Sequence, residues 1–131
     1  MASDTAERFM QTLQHIESTG DPAPMAGLFA DDAELSNLGG RRAYRGRDGA
    51  VEFWRAYLDQ FDEIRSDFGH VTESPDGAAA EWVSHGRLAS GRPLRYSGVS
   101  VLEFDGSLIR RFRTYYDSAA FVAPVAEAAT A

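Results

Sequence analysis

The stretch 81–117, which reads EWVSHGRLASGRPLRYSGVSVLEFDGSLIRRFRTYYD, most constrains the fold of this chain. It holds three extended segments joined by two short turns, at residues 89–91 and at Asp105-Gly106. Glycine permits the positive φ that a tight reversal needs, and the segments are rich in β-branched and aromatic residues. The pattern predicts a three-stranded antiparallel meander. The function of the protein depends on which face of this meander points into a cavity.

Helical segments dominate the chain before the meander. Phe9, Leu13 and Ile16 fall on one apolar stripe of a first helix, and Gly20 ends that helix. We predict helices over 4–19, from Asp21 to about residue 30 and over 48–61, strands over 33–38 and about 64–72, a glycine-containing loop over 39–46, and a tail over 118–131 that is flexible or a lid. This order predicts an α+β fold, in which a cone-shaped, curved antiparallel or mixed sheet wraps around three N-terminal helices and encloses a pocket.

Length and composition limit the class of protein. At 131 residues the chain is predicted to be a single domain, 1–131, large enough for one core and a cavity. No run approaches the roughly 18 apolar residues of a membrane span, and the N-terminus lacks the regions of a signal peptide, so we predict a cytoplasmic protein with no membrane contact. A net charge of −7 argues against nucleic-acid binding. There is no cysteine, and no His, Asp and Glu spacing resembles a metal site, so we predict no metal and no cofactor.

Three segments resemble the nuclear transport factor 2-like superfamily. They are LFADDAEL (28–35), YRGRDGAVEFW (44–54) and VLEFDGSLIRRFRTYYDSAAF (101–121). The chain is similar in particular to the SnoaL-like branch and its relatives, the ketosteroid isomerases and limonene epoxide hydrolases, over about residues 6–121. The resemblance implies a cone-shaped α+β barrel and a homodimer formed through the outer sheet face. This superfamily includes isomerases, cyclases, dehydratases, hydrolases and non-enzymes, so the resemblance predicts the fold more sharply than the function.

The catalytic positions of ketosteroid isomerases are changed in this sequence. Asn37 matches the position of their general-base Asp, while Leu13 and Ser100 match those of the Tyr and the protonated Asp that bind the oxyanion. An amide cannot take a proton from carbon at neutral pH. The resemblance therefore implies that the standard isomerase mechanism is absent.

The epoxide hydrolase positions are changed as well. The Asp–Arg–Asp network of those enzymes corresponds here to Val83, Glu81 and Thr114. Asn37 matches an Asn that helps to hold the water, and Leu35 occupies the position of its partner Tyr. Epoxide opening would therefore require a rearranged network centred on Glu81.

Strand alternation predicts which side chains share a face of the meander. We place the first turn near residue 90 and the second at Gly106. One face then carries three rows across the strands, Glu81–Ser100–Phe112, Val83–Gly98–Thr114 and His85–Tyr96–Tyr116. The small middle row favours a hollow with room for a ligand, whereas the opposite face, with Trp82 and Arg113, is typical of an outer surface or subunit contact. A β-bulge would shift this register.

Two titratable residues of the hollow, His85 and Glu81, are the predicted catalytic pair. Imidazole relays protons near neutral pH, and a carboxyl group serves as an acid or base when burial favours its neutral form. The alternatives are that His85 lies at the rim beside a tyrosine and that Glu81 pairs with an arginine or reaches water. The predicted substrate-binding residues, which orient the ligand by hydrogen bonds or packing, are Asn37, Tyr96, Ser100, Phe112, Thr114 and Tyr116.

The sequence therefore predicts a protein that accommodates a small apolar molecule of a polyketide, steroid or terpenoid type. As an enzyme it would perform cofactor-free acid/base chemistry: isomerisation, cyclisation, dehydration or epoxide opening. The alternative is a non-catalytic ligand-binding or protein-interaction module of the same fold. An enclosed cavity with Glu81 or His85 buried in it favours the enzyme, and a pocket plugged by Phe112, Tyr116 and Phe53 favours the interaction module.

Overall fold

The computed structural model describes residues 4–38 and 43–122. In chain order the elements are α1 (Asp4–Thr19), a 3₁₀ helix (Ala23–Leu28), β1 (Phe29–Asn37), β2 (Tyr44–Arg45), α2 (Gly46–Asp59), β3 (Phe61–Ser74), β4 (Gly77–Leu88), β5 (Pro93–Asp105), β6 (Leu108–Tyr116) and a second 3₁₀ helix (Ser118–Phe121). The strands form one curved sheet in the order β2-β1-β6-β5-β4-β3, with β1 and β6 parallel and the other neighbours antiparallel. The predicted α+β class is confirmed. Residues 39–42 of the predicted loop and 123–131 of the predicted lid lie outside the described residues.

The first helix has the predicted boundaries and the predicted buried stripe. Phe9, Leu13 and Ile16 are at most 6% exposed and face the sheet side of the core. Gly20 ends the helix with a φ of 77°, and its N–H donates to the carbonyl of Ile16 at 2.8 Å. A left-handed residue at this point lets the chain satisfy a terminal carbonyl and turn away.

The other predicted boundaries move by a few residues. The second helix is a single 3₁₀ segment, and β1 begins at Phe29 rather than at residue 33, because the fully buried side chains of Phe29 and Ala33 are accommodated by extended backbone. The helix α2 covers 46–59, so β3 begins at Phe61, which pairs with Leu88 of β4. Long-range strand pairing thus overrides the local helical pattern at both places.

The main core lies between the two α-helices and one face of the sheet. Phe112 of β6 is 1% exposed, and its ring centroid lies 5.4 Å from that of Phe9, 5.6 Å from Phe53 and 5.2 Å from Trp54. A second cluster, which comprises Phe61, Ile64, Trp82, Leu94 and Tyr96, covers the same face further along the strands. We refer to this face as the inner face of the sheet and to the opposite face as the outer face.

The predicted register of the meander is wrong on both sides of β5. The prediction placed Glu81 of β4 opposite Ser100, whereas the structure places Ala80 there. It placed Phe112 of β6 opposite Ser100, whereas the structure places Thr114 there. A β-bulge at Glu103/Phe104 contributes to the second shift. Because neighbouring residues of a strand point to opposite faces, the first shift reverses every side chain of β4 relative to the prediction.

Candidate functional site

A cavity of about 210 Å³ lies between the inner face and the helices. Its walls come from α1, α2 and all six strands, and they are mainly aromatic rings and hydroxyl groups. No Asp, Glu, Lys, Arg or His is present among the described residues that line it. Three of the lining residues, Asn37, Ala56 and Gln60, are exposed and mark its mouth between the end of β1 and the end of α2. This volume is many times that needed by one water molecule, so a small organic molecule fits in the cavity.

A half-buried carboxylate lies behind the cavity wall, in a group that we call the carboxylate cluster: Glu17, Tyr57, Ser66 and Ser84. Glu17 Oε2 accepts hydrogen bonds from Tyr57 Oη and Ser66 Oγ, both at 2.6 Å, and Oε1 accepts one from the Ser66 backbone N–H at 2.9 Å. Ser66 Oγ also lies 2.6 Å from Ser84 Oγ. Tyr57, Ser66 and Ser84 line the cavity, so hydroxyl groups link Glu17 to its interior.

The directions of these hydrogen bonds follow from proton counting. When Glu17 is ionised, the single protons of Tyr57 Oη and Ser66 Oγ point at the carboxylate. Ser84 must then donate to Ser66, because the Ser66 proton is already used. Protonation of Glu17 allows either chain to reverse and to present a donor to the cavity. The cluster can therefore act as an acceptor or as a donor, depending on the charge of one carboxyl group.

Burial sets the acid–base character of the cluster. Burial raises the pKa of Glu17, although the hydrogen bonds from Ser66 and Tyr57 oppose this effect. Burial, followed by the neighbouring Glu17 charge, raises the pKa of Tyr57 well above its usual range. Burial also raises the pKa of Tyr96, and the nearby Tyr116 and Glu17 add to the effect. The tyrosines are therefore neutral donors at physiological pH, and Glu17 is the group that can titrate.

A second polar group on the inner face has no unused proton. Trp82 Nε1 donates to Ser100 Oγ at 3.0 Å, and Ser100 Oγ lies 3.2 Å from Thr114 Oγ1 on the neighbouring strand. The proton of Thr114 is directed to the carbonyl of Val99 at 3.4 Å, so Ser100 donates to Thr114. These residues line the cavity with satisfied hydroxyls, which fixes the indole of Trp82 in the wall.

Trp54 contributes an unpaired donor to the site. Its side chain is 3% exposed and its residue lines the cavity, and its Nε1 is the buried side-chain nitrogen or oxygen without a hydrogen-bond partner among the described residues. Buried indole N–H groups usually find a partner. Because the nitrogen itself is closed off from the cavity, other atoms of the Trp54 ring form the wall.

The predicted substrate-binding residues come together as expected. All of them line the cavity: Asn37, Tyr96, Ser100, Phe112, Thr114 and Tyr116. Their roles in binding stay a prediction. The rings of Phe112 and Tyr116 form part of the wall without filling the space, so the plugged pocket of the interaction-module alternative is not what the described residues form.

The predicted catalytic pair does not reach the cavity. Glu81 is exposed on the outer face, and His85 lies on the same face, with its Nε2 3.3 Å from Asp67 Oδ2 and 3.2 Å from Arg65 Nη2. The expected tyrosine neighbour of His85 is replaced by these charged groups. The predicted placement of Glu81 and His85 in the hollow is therefore wrong, because the register of β4 differs by one residue from the predicted register.

Sequence reasoning missed the carboxylate cluster, although a signal for Glu17 exists. Glu17 follows Leu13 by one helical turn and adjoins Ile16, so it lies beside the apolar stripe of α1. An acidic side chain at such a position either points to solvent or is paired in the interior. The sequence does not say that Tyr57 and Ser66, on separate elements, meet it there.

The described residues contain no group of three or more His, Cys, Asp and Glu that could hold a metal ion. In the same part of the chain, no helix is long and apolar enough to cross a membrane.

Several solved structures share the fold of this protein. An NTF2-like protein from Anabaena variabilis has a TM-score of 0.79 at 18% identity, over 92% of this chain and 96% of that one. A protein of ketosteroid isomerase-like fold from Catenulispora acidiphila, solved in complex with trimethylamine, has a TM-score of 0.77 at 16% identity, over 92% and 90%. An LEH-like epoxide hydrolase from M. tuberculosis has a TM-score of 0.68 at 17% identity, over 88% and 82%. At these identities the likeness shows the fold alone.

The family follows from the sequence itself. The model of the SnoaL-like domain family matches residues 6–112, and the chain belongs to that family. The predicted resemblance to the SnoaL-like branch is thereby confirmed. No curated protein matches this sequence.

Proposed function

We propose that the protein binds a small molecule with a largely apolar surface in the cavity and catalyses a proton transfer on it without a cofactor. The reaction class is isomerisation, dehydration, cyclisation or epoxide opening. The carboxylate cluster carries this proposal: Glu17 is half-buried, and the hydroxyls of Tyr57 and of Ser66 and Ser84 connect it to the cavity. Buried titratable groups beside a cavity are typical of acid–base sites.

The proton path can be written with all protons accounted for. The hydroxyl of Tyr57 gives its proton to Glu17 while its oxygen takes a proton from the ligand, so that Glu17 becomes neutral and Tyr57 keeps one proton. The reverse transfer delivers a proton to another atom of the ligand and restores the carboxylate. The raised pKa of Glu17, caused mainly by burial, brings it closer to the working pH of a general base. Tyr57 alone is too weak an acid for this role.

A second candidate function is non-catalytic binding of the same kind of molecule. It is supported by the absence of any carboxylate or imidazole from the described residues that line the cavity. The neighbour from Catenulispora acidiphila was solved in complex with trimethylamine, which supports the binding of a small organic molecule by a protein of this fold. Polyketide, steroid or terpenoid compounds stay the predicted ligand type, and a homodimer through the outer face also stays a prediction.

The first experiment identifies the ligand and then tests the relay. Native mass spectrometry of the purified protein, followed by extraction, gives the bound molecule, which is then assayed for turnover. We expect Glu17→Gln and Tyr57→Phe each to reduce turnover by about 10² to 10⁴-fold, the usual contribution of general acid–base catalysis. Glu81→Gln is the matched control, because that carboxylate lies on the outer face.

Two results would redirect the proposal. If the ligand binds and no turnover is found under any tested condition, the protein is a binding module. If turnover occurs and neither Glu17→Gln nor Tyr57→Phe slows it, the carboxylate cluster is not the proton relay.

A further inference from the structure

We infer that the ligand of this cavity is a small organic cation, an ammonium group on an apolar body, which lies against the aromatic wall and for which Glu17 supplies the counter-charge. The inference rests on the proposed function, since it names the class of molecule that the same cavity takes. It is carried by the rings of the wall, by the distribution of charge and by the direction of the hydrogen bonds.

Three rings of the wall pack against one another, and we call them the aromatic triad: Trp82, Tyr96 and Tyr116. The centroid of Tyr96 lies 5.2 Å from that of Trp82 and 5.5 Å from that of Tyr116, and the remaining pair is 6.4 Å apart. All three residues line the cavity. Tyr96 is nearly perpendicular to both neighbours, with interplanar angles of 82° and 72°. These edge-to-face contacts leave no space between the rings, so the triad offers aromatic surface along one side of the cavity. A cation that lies against an aromatic face is attracted by the ring quadrupole.

The charges around the cavity favour a cation over an anion. No cationic side chain is found among the described residues of the wall, so an anionic ligand would have no partner there. Glu17 takes part in none of the ion pairs of the described residues, and hydroxyl and amide donors alone compensate it. Coulomb attraction across one hydrogen-bonded side chain is substantial in a weakly polar interior. A cation in the cavity would therefore stabilise the half-buried carboxylate, and the carboxylate would hold the cation.

The hydrogen-bond directions also favour a donor or a cation. With Glu17 ionised, the protons of Tyr57, Ser66 and Ser84 all point towards the carboxylate. The hydroxyl of Tyr96 interacts with those of Tyr57 and Ser84, and its proton can go to a lone pair of either one. The hydroxyl oxygens of Tyr57, Ser84 and Tyr96, which all line the cavity, then have no proton left for a bound molecule. A carbonyl oxygen would be repelled there, whereas an ammonium group would be attracted. A neutral alcohol would also be accepted, so charge is the property that an experiment must isolate.

Two probes of the same shape isolate the effect of the positive charge. They are choline and its uncharged analogue 3,3-dimethylbutan-1-ol, which has carbon in place of the quaternary nitrogen. Isothermal titration calorimetry with the full-length protein measures both affinities. We expect choline to bind about tenfold or more tightly than the alcohol, as cation–π attraction and a nearby carboxylate together predict. Glu17→Gln should remove most of this preference and leave the affinity for the alcohol within about twofold, because Glu17 does not line the cavity.

Two further variants guard against misfolding and unspecific charge effects. Tyr116→Leu removes one ring of the aromatic triad at a half-buried position, so we expect it to weaken choline binding by several-fold more than alcohol binding. Glu81→Gln removes an exposed carboxylate of the outer face and should leave both affinities unchanged. Circular dichroism confirms that each variant is folded.

The outcomes separate this inference from the proposed function. Equal or tighter binding of the alcohol by the native protein would overturn the cationic ligand and leave the binding site intact. A choline preference that survives Glu17→Gln would remove the carboxylate from the proposal. If neither probe binds at millimolar concentration, the cationic ligand is overturned, whereas the proposed function is decided separately by the molecule that native mass spectrometry finds and by its turnover.

Discussion

Two glutamates on opposite sides of the sheet have side-chain carboxyl groups in very different environments. Glu103, on β5, is surrounded by Arg110, Arg111 and Arg113 at the surface, and the hydrogen bond from Arg113 is the main reason that its pKa is lowered. Glu17 has only uncharged donors, and burial raises its pKa. The first carboxylate is paired and stays charged, whereas the second can change its charge near the cavity. The comparison shows a carboxylate with three arginine partners on the outer face and a carboxyl group with only uncharged partners on the helix side.

The largest expected effect tests the packing difference between the two faces along β6. Phe112 is 1% exposed and meets three rings of the helices, so Phe112→Ala should lower the free energy of unfolding by about 3–5 kcal/mol. Tyr115 is 41% exposed, and Tyr115→Ala should change the free energy of unfolding by no more than about 0.5 kcal/mol. Urea denaturation of both variants measures the contrast, and similar losses would show that the outer face is also a packed surface.

The next largest effect concerns polar groups rather than packing. Ser100→Ala deletes the acceptor of Trp82 Nε1 and the donor to Thr114, so two buried polar groups lose a partner. We expect a loss of about 1–3 kcal/mol in the free energy of unfolding. Ser97→Ala, at an exposed position of the same strand, is the control and should be nearly neutral. An equal effect of the two substitutions would mean that the buried hydroxyls contribute nothing specific.

The same inner face shows how far the sequence predicts the site. Shifting the β5–β6 pairing by two residues keeps every side chain on its face, so Phe112, Thr114 and Tyr116 line the cavity despite the wrong register. Shifting the β4–β5 pairing by one residue reverses β4, so Glu81 and His85 move to the outer face. Turn residues locate a hairpin to within about one residue, and the face of a strand depends on that one residue.

The carboxylate cluster could not be predicted in the same way. Its members lie on α1, α2, β3 and β4, and the contact between Glu17 and Ser66 joins residues 49 positions apart. Local periodicity identifies the core stripe of a helix, and it marks a glutamate beside that stripe as an exception. Whether the exception is solvated or buried depends on which hydroxyls another element brings to it. That information is in the tertiary structure.

The pH dependence of stability separates the two glutamates in sign. Because the pKa of Glu17 in the folded state is raised above its ordinary value of 4.5, the folded protein holds this proton more tightly than the unfolded chain. Its contribution is most favourable below the unfolded pKa, and it declines as the pH rises through the folded pKa. Glu17→Gln should abolish this decline. Denaturation midpoints measured from about pH 4 to pH 8 test it, and a variant that keeps the slope of the native protein would contradict the raised pKa.

The smallest expected effect is that of Glu103. Its pKa in the folded state is lowered from 4.5, so it stabilises the fold above the unfolded pKa, and this stabilisation is lost as the pH falls through the folded pKa. Its side chain is 30% exposed and its arginine partners are partly solvated, so Glu103→Gln should lower stability at neutral pH by less than about 1 kcal/mol. High salt should reduce that loss further, because salt screens exposed charges. Salt should have less effect on the stability change caused by Glu17→Gln, because the carboxylate of Glu17 is less accessible to solvent ions. A loss at Glu103 that is larger than about 1 kcal/mol and unaffected by salt would show that Glu103 and its arginines are as well shielded from solvent as Glu17, and the contrast between the two glutamates would no longer hold.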